Sequence, residues 1–194
     1  MVYEALDFYD VDSQLTEEEV MVRDMVRDWV EEEVLPKIED ACRDDVFPDE
    51  WRVALGEMGV LGAPLEGYGC PGLSYTAYGV ICRELERGDS GLRSFASVQG
   101  SLAMYPIWDF GSEEQKEKYL PKMASGELIG CFGLTEPDYG SNPGGMVTRA
   151  EDKGDHYLLN GAKMWITNGT ISDLAVVWAK LDGVIRGFIV ETGD

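Results

Sequence analysis

The sequence has little of what nucleic-acid-binding surfaces and membrane spans require. It contains 16 basic residues against 37 acidic ones, which gives a net charge of −21. Such a balance repels nucleic acid, because proteins that bind DNA or RNA use basic patches to neutralise phosphates. It argues equally against binding to anionic membrane surfaces. No apolar run approaches the ~20 residues of a membrane-spanning helix. We therefore expect no nucleic-acid partner and no membrane insertion.

Metal ligands are scarce as well. A single histidine and four cysteines, none in a Cys-x-x-Cys pair, lie at His156, Cys42, Cys70, Cys82 and Cys131. Zinc sites need several such ligands at close spacing, so we predict no metal site and interpret His156 as structural. Residues 1–7 lack the basic stretch and apolar core of a secretory signal. Reduced thiols and the missing signal together predict a cytoplasmic protein.

The first two-thirds of the chain predicts helices. Thr16 and Glu19 have the spacing of a capping box, and Val22, Val26 and Val30 recur behind them at helical intervals. Pro36 is expected to kink or interrupt this first helix, since proline cannot donate to the helical ladder. Further helices are predicted over 48–59, 74–87, 90–109 and 112–123, the last with a second capping box.

From about residue 129 the apolar period changes to two, which indicates strands. We predict strands over 156–159, 162–167, 174–180 and 184–191. The dipeptides Asn160-Gly161, Asn168-Gly169 and Asp182-Gly183 suit type I′ hairpin turns between them. No Gly-x-Gly-x-x-Gly follows a strand, so a Rossmann site is not expected.

These patterns predict an α+β fold. An N-terminal all-α helical domain is expected over 1–128, followed by an incomplete antiparallel β-domain over 129–194. The sequence stops directly after a predicted strand, which would leave a sheet edge open. We expect a fragment, or a subunit that another polypeptide completes.

Two segments give the chain a specific resemblance. One runs from Phe132 to Ser141 (Phe-Gly-Leu-Thr-Glu-Pro-Asp-Tyr-Gly-Ser), and the other is Trp165-Ile166-Thr167-Asn168. Taken singly, the second is typical of an ordinary strand and the first of a loop. Together, in this order, they resemble the flavin-binding signatures of the acyl-CoA dehydrogenase family. The resemblance runs through nearly all 194 residues and is strongest to the glutaryl-CoA dehydrogenase branch.

The resemblance implies FAD as cofactor and assigns residues to it. Backbone N–H groups and a hydroxyl at Leu134 and Thr135 would meet the pyrimidine edge of the flavin, Thr167 would bond to N5, and Trp165 would pack near the ring. Ser141 would touch the acyl-CoA or the cofactor, although the family usually has aspartate where Asn142 follows it. The full predicted cofactor set is Phe132, Leu134, Thr135, Gly140, Ser141, Trp165, Ile166 and Thr167.

The acyl end of the site is predicted on the helix over 90–109. Arg93 and Ser97 are four residues apart and share a helical face, and the resemblance assigns them, with Ser94 and Ser141, to the substrate. A buried carboxylate requires a paired cation, and a guanidinium matches its planar geometry. The alternative is a surface pair between Asp89 and Arg93, worth ~0.3–0.5 kcal/mol.

The predicted function is FAD-dependent dehydrogenation of a dicarboxylyl-CoA such as glutaryl-CoA, with or without decarboxylation. Alternatives are another acyl-CoA substrate, or a non-catalytic truncated subunit. The family's catalytic base lies in a region beyond residue 194, so no catalytic residue is assigned, and this chain alone is expected to be inactive. Glu136, which precedes Pro137, is interpreted as a loop residue that supports the flavin site. An electron-transferring flavoprotein partner and a homotetramer are further implications of the resemblance.

Overall fold

A computed structural model describes residues 8–192. The helices are α1 (Glu17–Trp29), α2 (Ile38–Asp44), α3 (Asp49–Glu57), α4 (Tyr75–Gly88), α5 (Ser90–Ser97), α6 (Tyr105–Phe110) and α7 (Glu113–Ala124). The strands are β1 (Glu66–Gly67), β2 (Cys70–Pro71), β3 (Gly130–Gly133), β4 (Arg149–Asp152), β5 (Tyr157–Asn160), β6 (Leu174–Leu181) and β7 (Val184–Glu191). Helices therefore precede the main sheet, as predicted.

Local capping chemistry sets the ends of the helices. At the start of α1 the Glu19 N–H donates to the Thr16 hydroxyl (3.3 Å), and the Thr16 N–H donates to the Glu19 carboxylate (2.9 Å). The same carboxylate accepts a bond from the Ser74 hydroxyl at 2.7 Å, which ties α1 to the start of α4. A second capping box between Ser112 and Gln115 opens α7. Both predicted capping boxes are therefore confirmed. Each one satisfies N–H groups that the start of a helix leaves unpaired.

Proline and an extended residue divide the helical region. After α1 a π-helical turn, Val30–Val34, precedes Pro36, and α2 begins only at Ile38, which confirms the predicted interruption. Asp89 adopts extended backbone (φ −165°) between α4 and α5, and its side chain accepts a bond from the Leu92 N–H at 3.0 Å. Helical structure then continues to residue 110 through a π-helical segment, Val98–Met104.

The main sheet is mixed, so the predicted antiparallel arrangement is wrong. Strand β3 pairs parallel with β6, with Gly130 opposite Leu174, and β4 also runs parallel to β6. Antiparallel pairing is limited to β4 with β5 and β6 with β7. Only neighbouring strands joined by a short turn must be antiparallel; β3 and β6 are joined by a long connection that returns the chain to the same end.

One of the three predicted hairpin turns forms. Asp182 and Gly183 have φ of 50° and 80° and join β6 to β7, as a type I′ turn requires. Gly161 follows β5 without turning into another strand; a Cβ there would lie 2.2 Å from the Thr148 hydroxyl. Asn168-Gly169 joins no strands, because the predicted strand over 162–167 is instead irregular. Trp165 has φ 59°, which is incompatible with an extended strand.

The buried residues form two clusters. One lies among α1, α3, α4 and α5 and includes Val26, Leu55, Ile81 and Phe95. The other joins α6 and α7 to β6 through Ile107, Leu120, Met123, Leu174 and Val176, and so fixes the sheet against the helices. Within residues 8–192 no helix combines the length and apolar content needed to cross a membrane. The same residues contain no group of His, Cys, Asp and Glu arranged to hold a metal ion.

Candidate functional site

The first predicted segment, residues 132–141, begins within β3 and leaves the sheet at its end; with Gly130 and Cys131, which open β3, it forms the first segment of the site, residues 130–141. Glu136 and Tyr139 exchange backbone hydrogen bonds of 3.2 and 3.1 Å, which close a tight turn over Pro137 and Asp138. Gly140 and Ser141 follow the turn and are exposed. The chain therefore passes from a buried strand to an open corner within a few residues.

The second predicted segment, residues 165–168, lies within an irregular stretch, residues 162–173, which is the second segment of the site and lies against the first. The Met164 N–H donates to the Thr135 carbonyl at 2.9 Å, and the Lys163 ammonium donates to the Leu134 carbonyl at 3.0 Å. These bonds bring the two stretches of the predicted cofactor set side by side. Ser141 takes part in none of them: within residues 8–192 no hydrogen bond links it to the second segment or to α5.

A buried ion pair joins the two segments. The Glu136 carboxylate accepts bonds from the Lys163 ammonium at 2.9 Å and from the N–H groups of Val147 and Thr148 at 2.7 and 3.0 Å. Burial raises the pKa of Glu136, but the donors from Thr148, Val147 and Lys163 outweigh it and hold this pKa at about 2. Glu136 therefore stays ionised at neutral pH and supports the loop, as its position before Pro137 suggested.

The outer surface of the second segment is aromatic and polar. Trp165 is 85% exposed. Its backbone is in the left-handed region, where a bulky residue is strained. Within the described part of the chain, the hydroxyls of Thr135, Thr167 and Ser141 have no hydrogen-bond partner. An open indole and unpaired hydroxyls on two adjoining segments fit a flat aromatic group with polar edges, such as a flavin.

Two predicted cofactor residues are placed less openly. Phe132 packs edge-on against Trp178, with ring centroids 5.9 Å apart, and belongs to the cluster that joins the sheet to the helices. Its ring therefore packs on one side against the sheet and remains partly exposed. Ile166 is half-buried, and its carbonyl accepts the Gly169 N–H at 3.0 Å.

Three of the four predicted acyl-binding residues, Arg93, Ser94 and Ser97, lie on α5. The Arg93 guanidinium donates to the Glu86 carboxylate through Nε at 2.7 Å and to the Ser97 hydroxyl at 3.4 Å. The Ser97 hydroxyl donates to the Ser94 carbonyl at 3.1 Å. Bonds from Ser90 and Arg93 lower the pKa of Glu86. Glu86, and not Asp89, is therefore the partner of Arg93, since the Asp89 side chain caps α5.

Sequence reasoning missed the residues that connect these parts. The Asn168 side-chain amide donates to the Phe95 carbonyl of α5 at 3.4 Å and to the Gly130 carbonyl of β3 at 3.3 Å. Lys163, the partner of Glu136, is a lone cation in a largely apolar stretch, a pattern that indicates a buried partner. Asn168 was interpreted as a hairpin residue for its tolerance of positive φ, which is φ 65° here. The positive φ of Asn168 is therefore confirmed, but the residue joins the second segment to α5 and β3 and does not form a hairpin turn.

Comparison with known proteins shows which family has this sequence and fold. The model of the acyl-CoA dehydrogenase N-terminal domain matches residues 16–127, and that of the acyl-CoA dehydrogenase middle domain matches residues 131–194. The chain is 40% identical over 188 residues to the probable acyl-CoA dehydrogenase YngJ of Bacillus subtilis, covering 92% of this chain and 49% of that protein. It is 38% identical over 190 residues to a glutaryl-CoA dehydrogenase of Desulfococcus multivorans, covering 93% and 49%.

A solved structure agrees along most of the chain. The glutaryl-CoA dehydrogenase of Mycobacterium smegmatis, in complex with FADH2, is 51% identical with a TM-score of 0.93 and covers 96% of this chain and 48% of that one. The chain thus spans about half the length of the relatives it matches. Matches to both domain models, together with the shared structure, confirm the predicted family. This chain belongs to the acyl-CoA dehydrogenase family.

Proposed function

We propose that the chain forms the helical and sheet parts of an FAD-dependent acyl-CoA dehydrogenase that acts on a dicarboxylyl-CoA, with glutaryl-CoA as substrate. The observation that carries the proposal is the Arg93 guanidinium, which is partly exposed and bonded to both Glu86 and Ser97 on one helical face. A guanidinium offers a planar, charge-assisted partner to a carboxylate, which a dicarboxylyl group has at its free end and a purely apolar acyl chain lacks.

The predicted cofactor-binding residues of the two segments are consistent with this proposal. When bound, FAD would supply the acceptor for the hydride that leaves the acyl chain. The Thr135 and Thr167 hydroxyls would donate to its polar edge and Trp165 would cover a face, while Leu134, Ile166, Phe132, Gly140 and Ser141 would line the site mainly through backbone groups. The Glu136–Lys163 pair would hold both segments in register, since rigid support keeps such a site within tolerance.

The residues toward the acyl group have separate tasks. Arg93 would hold the distal carboxylate, because a charge-assisted bond to guanidinium is stronger than a neutral one. Ser94 and Ser97 would add polar contacts on the same helix, and Ser141 would contact the thioester side. The division between a helical domain, 1–128, and a β-domain, 129–194, remains a prediction from the change of apolar period. An electron-transferring flavoprotein as acceptor and a tetramer remain predictions from the resemblance.

A second candidate changes the substrate and keeps the reaction. The identity to YngJ, 40%, is no lower than the 38% to the glutaryl-CoA dehydrogenase of Desulfococcus multivorans. The glutaryl-CoA dehydrogenase of Mycobacterium smegmatis is more similar, at 51%. Identity to these two glutaryl-CoA dehydrogenases thus ranges from 38% to 51%, on both sides of the value for YngJ, so overall identity alone does not select the substrate. The side chains around Arg93 favour the dicarboxylyl-CoA.

Replacing Arg93→Ala in the natural holoenzyme that contains this chain tests the choice. We expect kcat/KM with glutaryl-CoA to fall roughly 10- to 100-fold, the value of a hydrogen bond to a charged group, while kcat/KM with butyryl-CoA changes little. Arg149→Ala, which removes an exposed cation of β4, is the matched control and should leave both substrates unchanged. Equal losses on both substrates in Arg93→Ala would contradict carboxylate recognition.

A further inference from the structure

We infer that Asn168 is a positioning residue that joins the acyl-recognising helix to both cofactor segments. Its side-chain amide donates to the Phe95 carbonyl at 3.4 Å and to the Gly130 carbonyl at 3.3 Å. Phe95 belongs to α5, and Gly130 opens the strand that becomes the first segment. Asn168 itself belongs to the second segment. This inference rests on the proposed function for its consequence, although the contacts stand by themselves.

The helical acceptor is held rigidly. Phe95 lies between Arg93 and Ser97 along α5, its side chain is buried, and its ring stacks on Phe47 with centroids 4.5 Å apart. The helix passes into π-helical geometry directly afterwards, at Val98. A change from α-helical to π-helical hydrogen bonding within a helix is frequently found at functional sites. A bond to the Phe95 carbonyl therefore ties the second segment to the turn of helix that carries the acyl-binding side chains.

The strand acceptor is held just as firmly. The Gly130 N–H donates to the carboxamide oxygen of the fully buried Gln99 at 2.7 Å. The Gln99 amide nitrogen donates in turn to the Met123 and Leu128 carbonyls at 2.9 and 2.8 Å. A Cβ on Gly130 would lie 2.6 Å from the Ala103 Cβ, so the close approach of the strand to the helical segment leaves no space for a side chain here. The Gly130 carbonyl is thus a fixed anchor.

Asparagine meets two demands at this position. Its φ of 65° is in the left-handed region, which asparagine tolerates better than most residues, and its amide supplies the donor. The Asn168 carbonyl accepts the Ile171 N–H at 3.0 Å, and the Gly169 N–H bonds to Ile166. The orientation of Trp165 and Thr167 therefore depends on the same residue that contacts α5, so acyl recognition and cofactor placement share one support.

Hydrogen exchange in the natural protein that contains this chain tests the positioning role. Asn168→Gly keeps the left-handed backbone and removes the donor, whereas Asn168→Asp keeps the shape and turns an acceptor toward two carbonyls. We expect the Gly169 and Ile171 amides to exchange about fivefold to tenfold faster in Asn168→Gly, and faster still in Asn168→Asp. Asp182→Gly, which places glycine at another left-handed position (φ 50°), is the control for added backbone freedom. Exchange in Asn168→Gly equal to that of the wild type would overturn the inference.

A spectroscopic measurement separates positioning from general loosening. With FAD added, Asn168→Gly and Asn168→Asp should shift the visible absorption band of the bound flavin, and Asp182→Gly should leave the wild-type band. An unshifted band in both Asn168 variants would overturn the link to the cofactor. A wild-type protein that takes up no FAD would overturn the proposed function instead, and the exchange result would still decide whether Asn168 holds the second segment to α5.

Discussion

The candidate site contains two ion pairs that differ mainly in their access to water. Glu136 and Lys163, on the sheet side, have side chains 1% and 12% exposed at a separation of 2.9 Å. Glu86 and Arg93, on the helical side, have side chains 46% and 36% exposed at 2.7 Å. Distance does not distinguish them, and burial does.

Burial assigns the two pairs different tasks. Removing one partner of a buried pair leaves a charge without water or counter-charge, which is strongly destabilising. An exposed pair is screened and contributes little, but its cation remains accessible to an incoming anion. The buried pair therefore holds the two predicted cofactor segments together, and the exposed pair leaves the Arg93 guanidinium accessible to an anion.

Breaking the buried pair should have the largest effect. Lys163→Met removes the cation and leaves the Glu136 carboxylate with backbone donors only, so we expect a loss of about 3 kcal/mol in the free energy of unfolding. Urea titration measures this loss through the shift of the midpoint.

A double variant and a control variant show whether the loss comes from the unpaired buried charge. The double variant Glu136→Gln with Lys163→Met should regain at least about 1 kcal/mol over Lys163→Met alone, because the unpaired charge is gone. Lys153→Met breaks an exposed pair with Glu151, at 2.8 Å, and should change stability by at most about 1 kcal/mol. Equal losses in Lys163→Met and Lys153→Met would refute the assignment by burial.

The pH dependence of stability tests the same pair with a smaller effect. The pKa of Glu136 is about 2 in the folded protein, below its ordinary value of 4.5. Its stabilising contribution is therefore complete above about pH 4.5 and is lost as the pH falls toward 2. The difference in unfolding free energy between wild type and Glu136→Gln should be greatest above this window and narrow through it. For Glu151→Gln, an exposed carboxylate, the difference should remain small at every pH.

How far the sequence predicts the structure depends on the range of the interactions. The capping boxes at Thr16 and Ser112 are local, so the helix starts are readable from a few residues. The parallel pairing of β3 with β6 joins residues far apart in the chain, and no local pattern specifies it. The run over 162–167 has the composition of a strand, but the tertiary bonds of Met164 and the positive φ of Trp165 override that preference.

The site divides along the same line. The family resemblance predicts both cofactor segments and an acyl-binding face of α5 with Arg93 and Ser97. The residues that connect them, Lys163 and Asn168, act through partners 27 and 73 residues away. A side chain whose partner lies so far along the chain leaves only a faint trace in one sequence, such as a cation in an apolar stretch.

Breaking the exposed pair should have the smallest effect. Glu86→Gln removes the partner of Arg93, whose guanidinium stays charged and hydrated. We expect a loss of at most about 1 kcal/mol, hence a fall in Tm of about 4 °C or less. Thermal unfolding of Glu86→Gln beside Lys163→Met measures the contrast. A loss in Glu86→Gln as large as that in Lys163→Met would mean that Glu86 and Arg93 brace the helices, and Arg93 would then be a poor candidate for binding a substrate carboxylate.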